Sequence, residues 1–170
     1  MGWINEWKCK KGMKLDLGSG NPEQGEVQPE GYVLNDVQLH KNIDLVCNIV
    51  HVRKFVPDGY CSEVRMSHVL EHFTIKEGVE VIKMVWKILE DNGRFLIYVP
   101  NFKWHCELLM TGQDEMAVHY AFGGDLDKYD QHKTAFTPKI LKKRLEENGF
   151  EVTEITNGTS ITCVGLKRSL

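Results

Sequence analysis

Hydrophobic and polar residues follow two rhythms along this chain. In "MKLDL", residues 13–17, Leu15 and Leu17 flank a polar residue, and Gly18 and Gly20 follow at once, which predicts a short strand running into a glycine turn. "GYVLNDV" predicts a second strand ending at Asp36, and "NIDLVCNIV" a third with the apolar character of a strand covered on both faces. After the punctuation "PDG" at 57–59, "CSEVRMSHVL" predicts a fourth strand and "GRFLIYVP" a fifth, closed by Pro100. Helical spacing takes over at about 76–91, where Val79, Ile82, Val85, Trp86 and Leu89 recur at i, i+3, i+4, with Gly93 placed as a C′ glycine. A second helix has Thr137 as its cap, Pro138 in its first turn, Ile140, Leu141 and Leu145 on one face and Gly149 at its end. Two β-type runs then flank Asn157-Gly158, a strong hairpin signal.

Strands whose later connections are helical predict an α/β fold, a three-layer Rossmann-like domain with a mainly parallel sheet and a C-terminal antiparallel hairpin. Only 13 residues separate Leu17 from Gly31, and 7 separate Asp36 from Asp44. The first gap has room for a turn or a stub of helix and the second for no crossover helix, so one edge of the sheet should be thinly covered.

A chain of 170 residues, 42% hydrophobic, is expected to form one domain over 1–170, with an insertion at about 101–136. Its net charge of −3 points to no nucleic-acid or membrane partner. The five cysteines contain no Cys-x-x-Cys and read as reduced thiols of a cytoplasmic protein. No apolar run reaches a membrane span, and the first dozen residues lack the apolar stretch of a signal peptide.

The chemistry concentrates at "DLGSGNP". In such sheets ligands bind beyond the carboxyl ends of the strands, near the first one. Gly18 and Gly20 let the backbone approach a ligand closely. A dinucleotide site would want a third glycine and a helix start free of negative charge, yet Pro22 and Glu23 stand there. A carboxylate repels a pyrophosphate and attracts a cation, so the acidic turn suits S-adenosylmethionine, which carries an ammonium and a sulfonium. Asp36 can accept both ribose hydroxyls. Asn48 offers an amide that matches an adenine edge. Each has a plainer reading, an Asx turn for Asp36 and a strand-end turn for Asn48.

The ordered set "LDLGSGN", "LND", "DLVCNI", "SHVLEHF", "VIKMVWKILEDNGRFLIYVPNF" and "HKTAFTPKILKKRLEENGFEV" resembles the class I S-adenosylmethionine-dependent methyltransferases, over about 13–166. It looks closest to a short variety with reduced early helices. The resemblance implies a seven-stranded sheet of order 3214576 with the last strand antiparallel. It also implies that Asp16, Gly18 and Gly20 form the methionine-side loop, that Asp36 is the ribose ligand and Asn48 the adenine contact, and that Ser67 and His68 stand beside the transferable methyl. Two departures are Asn48, where the family usually has Asp, and "DNGR", which has lost a glycine before the fifth strand.

"SHVLEH" spells the H-x-x-E-H of a zinc-peptidase family in His68, Glu71 and His72. Such a site needs both histidines on one helix face, whereas His68 follows directly on an apolar strand, so no metal is expected. His72 reads as structural. The insertion at 101–136 is rich in aromatics and histidines, with Gly123-Gly124 as a hinge, and is expected to form the acceptor pocket. Any general base would be His68, Asp130 or His132. The expected activity is methyl transfer to a small-molecule acceptor, with the oligomeric state open. The alternatives are a non-catalytic S-adenosylmethionine or adenosylhomocysteine binder and, disfavoured by Glu23 and the missing glycine, a nicotinamide-dependent oxidoreductase.

Overall fold

In the computed structural model, which describes residues 2–4, 8–124 and 129–168, the elements are β1 (Gly2–Trp3), β2 (Met13–Leu17), β3 (Val33–Asp36), β4 (Leu45–Val46), β5 (Cys61–Ser67), α1 (Ile75–Ile88), β6 (Leu89–Pro100), α2 (Phe102–Met110), α3 (Asp114–Phe122), α4 (Pro138–Glu146), β7 (Phe150–Ile155) and β8 (Ser160–Lys167). The strands pair in the order β1-β4-β3-β2-β5-β6-β8-β7. The central pairings are parallel, and β8 runs antiparallel to both β6 and β7. The seven expected strands therefore stand in the expected order. An eighth, β1, adds an antiparallel edge against β4.

Local chemistry explains most of the boundaries. Thr74 and Glu77 close a capping box ahead of α1, whose buried side carries Val81, Ile82, Val85 and Ile88. Thr137 caps α4, Pro138 fills its first turn, and Leu141 and Leu145 are buried beneath it. In β6 the alternating Phe95, Ile97 and Val99 enter the same core as Leu15 and Leu17 of β2 and Val64 and Met66 of β5. Buried thiols belong to that core: burial pushes Cys47 up to about 11 and Cys61 and Cys163 up to about 12, so all three stay protonated.

Four details differ from the sequence expectation. The third strand is only Leu45–Val46, because Asn48 caps a 3-10 helix, Ile49–Lys54, that turns Ile49 and Val52 into the core. Leu45, Val46, Ile49 and Val52 are all buried, and burial alone does not distinguish a strand from a tight helix. The first long helix ends at Ile88, so Gly93 lies inside β6, and the left-handed residue there is Asn92, φ 63°. Ile140 is 41% exposed on α4. The hairpin is joined by four residues, 156–159, rather than by Asn157-Gly158 alone.

The connections β2–β3 and β3–β4 contain no α-helix, only the 3-10 turn Pro22–Gln24 in the first, as the short gaps require. On the strand face opposite the core, directly paired residues carry charge. Asp16 meets Arg65 at 2.8 Å, and Glu63 meets Lys14 at 3.5 Å and Arg94 at 3.1 Å. Glu63 also accepts from the Tyr32 hydroxyl. The Arg65 guanidinium lies over the Tyr98 ring. Among the described residues no helix is long and apolar enough to cross a membrane.

Candidate functional site

The parallel strands β2, β3 and β5 all end at one rim, and the segments leaving them carry the candidate residues. Gly18 (φ 71°) and Gly20 (φ 65°) hold conformations in which an L side chain is strained. A Cβ on Gly18 would also meet Val69 Cγ2 at 2.6 Å, and one on Gly20 would meet Glu26 Cγ at 2.6 Å. The turn's amides all point inward. Gly18 and Ser19 donate to the Asn35 carbonyl, each at 2.9 Å, and Gly20 donates to Asp36 Oδ2 at 3.0 Å. With the N–H groups of residues 18–20 turned inward, the turn presents no row of free amides to a ligand. That is the opposite of a phosphate cradle, which presents free N–H groups.

Two acids frame this turn. Asp16 is 1% exposed and pairs through Oδ1 with Arg65, while its Oδ2 is buried without a hydrogen-bond partner. Burial raises its carboxyl above the usual range, against the Arg65 guanidinium, which works the other way. Asp36 ends β3, and its two oxygens accept from the Gly20 and Gln38 amides. That is the Asx turn of the plainer reading, and the remaining lone pairs stay available to hydroxyls. Asn48 is exposed and uses Oδ1 to cap Val50 at 3.1 Å.

Ser67 is the last residue of β5, and His68 follows it in the left-handed region, φ 53°. Its amide donates to the Tyr98 carbonyl at 2.9 Å, which pins this backbone between β5 and β6. The ring of His68 is exposed, with Nδ1 3.4 Å from Glu71 Oε1. Interaction with that carboxylate raises the His68 imidazole above its usual range, outweighing the burial that lowers it. The single 3-10 turn Leu70–His72 then buries Leu70 and Glu71.

The 101–136 segment folds back over this rim. Asn101 caps α2, and the bridge Asn101–Phe136 ties its two ends together. The rings of Trp104 and Tyr120 stand 5.4 Å apart, and His105 stacks on Tyr120 at 5.9 Å. Gly123 ends α3 with φ 91°, and any side chain there would strike the Asp130 carbonyl. His132 donates its amide to the Phe122 carbonyl and stands ring to ring with His72, 5.0 Å between centroids. Burial holds the imidazoles of His105 and His132 below their usual range.

The fold thus brings His68 and His132 to one place, with Glu71 and His72 between them. Asp130 sits two residues before His132, on the backbone that packs against Gly123. Asp16, Gly18, Gly20 and Asp36 form one cluster, and Asn48, next to the Cys47 whose amide donates to the Asp36 carbonyl, caps the 3-10 helix that follows. Arg65, Glu26 and Glu71 went unassigned in the sequence. An arginine in β5 directly paired with Asp16 becomes visible only once register is known, and an acid inside the apolar "VLEHF" was the one available signal for Glu71.

No protein-family model matches the chain, and no curated protein matches it in sequence. Solved structures do match in fold. A SAM-dependent methyltransferase from Methanosarcina mazei superposes with a TM-score of 0.65 at 16% identity, over 95% of this chain and 94% of that one. One from Archaeoglobus fulgidus gives 0.62 at 16% identity, over 95% and 88%. The 1,6-didemethyltoxoflavin-N1-methyltransferase of Burkholderia thailandensis, solved with 1,6-didemethyltoxoflavin and S-adenosylhomocysteine, gives 0.62 at 12% identity, over 94% and 72%. The chain has the fold of the class I S-adenosylmethionine-dependent methyltransferases.

Proposed function

We propose that this protein transfers a methyl group from S-adenosylmethionine to a small-molecule acceptor. One observation carries the reading: a glycine turn at the rim of the parallel strands has spent its amides inward and is flanked by the carboxylates of Asp16 and Asp36. Such a turn offers oxygens to a cation, which supports a sulfonium and ammonium ligand over a pyrophosphate. The fold neighbours support the same choice, since several were solved with SAM or SAH.

Bound there, the cofactor supplies a methyl group already activated by its positive sulfur. The chain's own work is then to bind, orient and exclude water. Gly18 and Gly20 allow the close backbone approach, Asp36 would receive the ribose hydroxyls, Asn48, whose Oδ1 caps Val50, would offer its NH2 to the adenine edge, and Ser67 at the end of β5 would face the methyl side. The aromatic cluster of α2 and α3 closes the acceptor side, with Gly123-Gly124 as its hinge. Holding an acceptor in line is worth about 7–11 kcal/mol, against about 3–5 kcal/mol for proton removal. Positioning therefore dominates, and if a base takes part it is His68, Asp130 or His132.

Calorimetry tests the reading. S-adenosylhomocysteine should bind the chain with one-to-one stoichiometry, NADH should give no heat, and Asp36→Ala should weaken the homocysteine derivative at least tenfold, about 1.4 kcal/mol. Absence of binding by S-adenosylhomocysteine overturns it. Binding without release of that product across a broad acceptor screen would instead favour a cofactor-binding protein that does not transfer.

A further inference from the structure

Among the described residues Glu71 is the one acid with both carboxylate oxygens buried and without a hydrogen-bond partner, and it is 1% exposed. His68 Nδ1 stands 3.4 Å from Oε1, an ion-pair distance without hydrogen-bond alignment. A buried carboxylate costs several kcal/mol unless a cation compensates it. Two imidazoles complete its surroundings. Ligand atoms of Glu71, His72 and His132 all lie within 4.8 Å of one another.

One of the two rings, His132, is oriented from behind as ligating histidines usually are. His132 Nδ1 is 3.1 Å from the Tyr120 carbonyl, so that nitrogen carries the proton and Nε2 keeps its lone pair for the cluster. His72 has a backbone carbonyl at each nitrogen, Gln131 at 3.3 Å from Nδ1 and His68 at 3.1 Å from Nε2. A neutral imidazole has one N–H and can satisfy only one of them. At 3.1–3.3 Å neither carbonyl leaves room for an ion on its nitrogen, so the His72 ring must turn away from one of them to ligate. Glu71 and His132 also line one small cavity with Pro100, Phe102, His105 and Tyr120, beneath the aromatic cover.

We propose that Glu71, His72 and His132 bind one divalent transition-metal ion, with its open coordination positions turned toward the acceptor cavity. Two imidazoles and one carboxylate suit Zn²⁺, Mn²⁺, Fe²⁺ or Co²⁺, and three protein ligands leave room for an exogenous oxygen. Donors held near 2.1 Å from one ion must stand closer together than 4.8 Å, so the rings close in on binding. The H-x-x-E-H pattern thus contributes Glu71 and His72, while the third ligand comes from 60 residues away rather than from His68. The ion would orient an acceptor oxygen and lower its pKa. That role rests on the methyl-transfer reading, whereas the ion's binding does not. The site also assigns His132 to the metal rather than to proton removal.

The test uses the full chain, stripped with EDTA and titrated calorimetrically with ZnCl₂ and MnCl₂, with S-adenosylhomocysteine titrated separately. At least one metal should saturate at one ion per chain, and Glu71→Gln and His132→Ala should each weaken it at least thirtyfold, while S-adenosylhomocysteine affinity stays within twofold. Circular dichroism establishes that each variant is folded. As an arm that needs no loss of fold, Co²⁺ added to the wild type should give visible absorption bands that shift or vanish in His72→Asn. Absence of a saturable ion, wild-type affinity in folded Glu71→Gln and His132→Ala, or a Co²⁺ spectrum unchanged by His72→Asn overturns the site. Metal binding without S-adenosylhomocysteine binding removes the methyl-transfer reading and leaves the site standing; the reverse result removes only the site.

Discussion

In the proposed function the glycine turn with Asp16 and Asp36 is the nucleoside side and the surroundings of Glu71 the acceptor side, and the two regions differ in how completely their polar groups are satisfied. On the nucleoside side, Gly18, Ser19 and Gly20 give their amides to β3, Asp36 accepts two amides, and Asp16 holds a guanidinium. On the acceptor side, both oxygens of Glu71 and Nδ1 of His105 are buried without partners. Satisfied groups hold a backbone in place and say little about what comes next. Unsatisfied buried groups say that something is missing, because desolvation without compensation is costly. The nucleoside side therefore reads as a preformed cradle and the acceptor side as a site completed by its ligands. Among the described residues the nucleoside side has two exceptions of its own, Asp16 Oδ2 and Asn35 Oδ1, and both are oxygens that a cation or a hydrogen-bond donor could meet.

The comparison breaks most visibly at Arg65. Replacing it with methionine leaves the Asp16 carboxylate in a site 1% exposed with no counter-charge, which should cost about 3–5 kcal/mol in urea unfolding. The double variant Asp16→Asn, Arg65→Met removes both charges and should recover most of that loss. If the single variant costs less than about 1 kcal/mol, the nucleoside side is not held by this pair.

Next in size is the acceptor side. Alanine at His68, Asp130 or His132 should lower turnover at least a hundredfold for one of the three, about 2.7 kcal/mol, with S-adenosylhomocysteine affinity unchanged. Equal losses in turnover and affinity would mean that the two sides are not separable. A second distinction lies in the same set. If His132 holds a metal, saturating Mn²⁺ or Zn²⁺ should raise turnover of the wild type and leave that of His132→Ala unmoved.

The contrast also explains what the sequence could disclose. The cap of α4 and the glycine turn were legible because each depends on neighbours within a few residues, Thr137 with Pro138 and Gly18 with Gly20, whereas the strand order was an expectation of the family resemblance alone. The extent of β4 was not legible, since Leu45, Val46, Ile49 and Val52 are buried alike whether the chain is extended or coiled. Glu71 was invisible for a different reason. Its anomaly is defined by His132, by the register that buries it and by the absence of a partner among the described residues, none of which periodicity encodes. The H-x-x-E-H pattern joins Glu71 and His72 to a His68 that stands outside any helix, and nothing in the spacing of the sequence brings in His132, 60 residues further on.

The smallest expected effect is the sharpest probe of the nucleoside cradle. At Gly20 the left-handed backbone alone should cost an alanine about 1–2 kcal/mol, and its Cβ would in addition press on Glu26 Cγ at 2.6 Å. Glu26 is a flexible side chain, so the second term is relieved by Glu26→Gly while the first is not. A double-mutant cycle in thermal unfolding separates them: Gly20→Ala should be destabilising in both backgrounds, and less so without Glu26. S-adenosylhomocysteine affinity supplies the other half of the measurement. If the turn binds a ligand through its oxygens, a methyl group at Gly20 should weaken binding even where Glu26 has been removed. Unchanged affinity in that background would mean that the cofactor does not approach the backbone at Gly20, and the cradle would have to be sought nearer to Asp16.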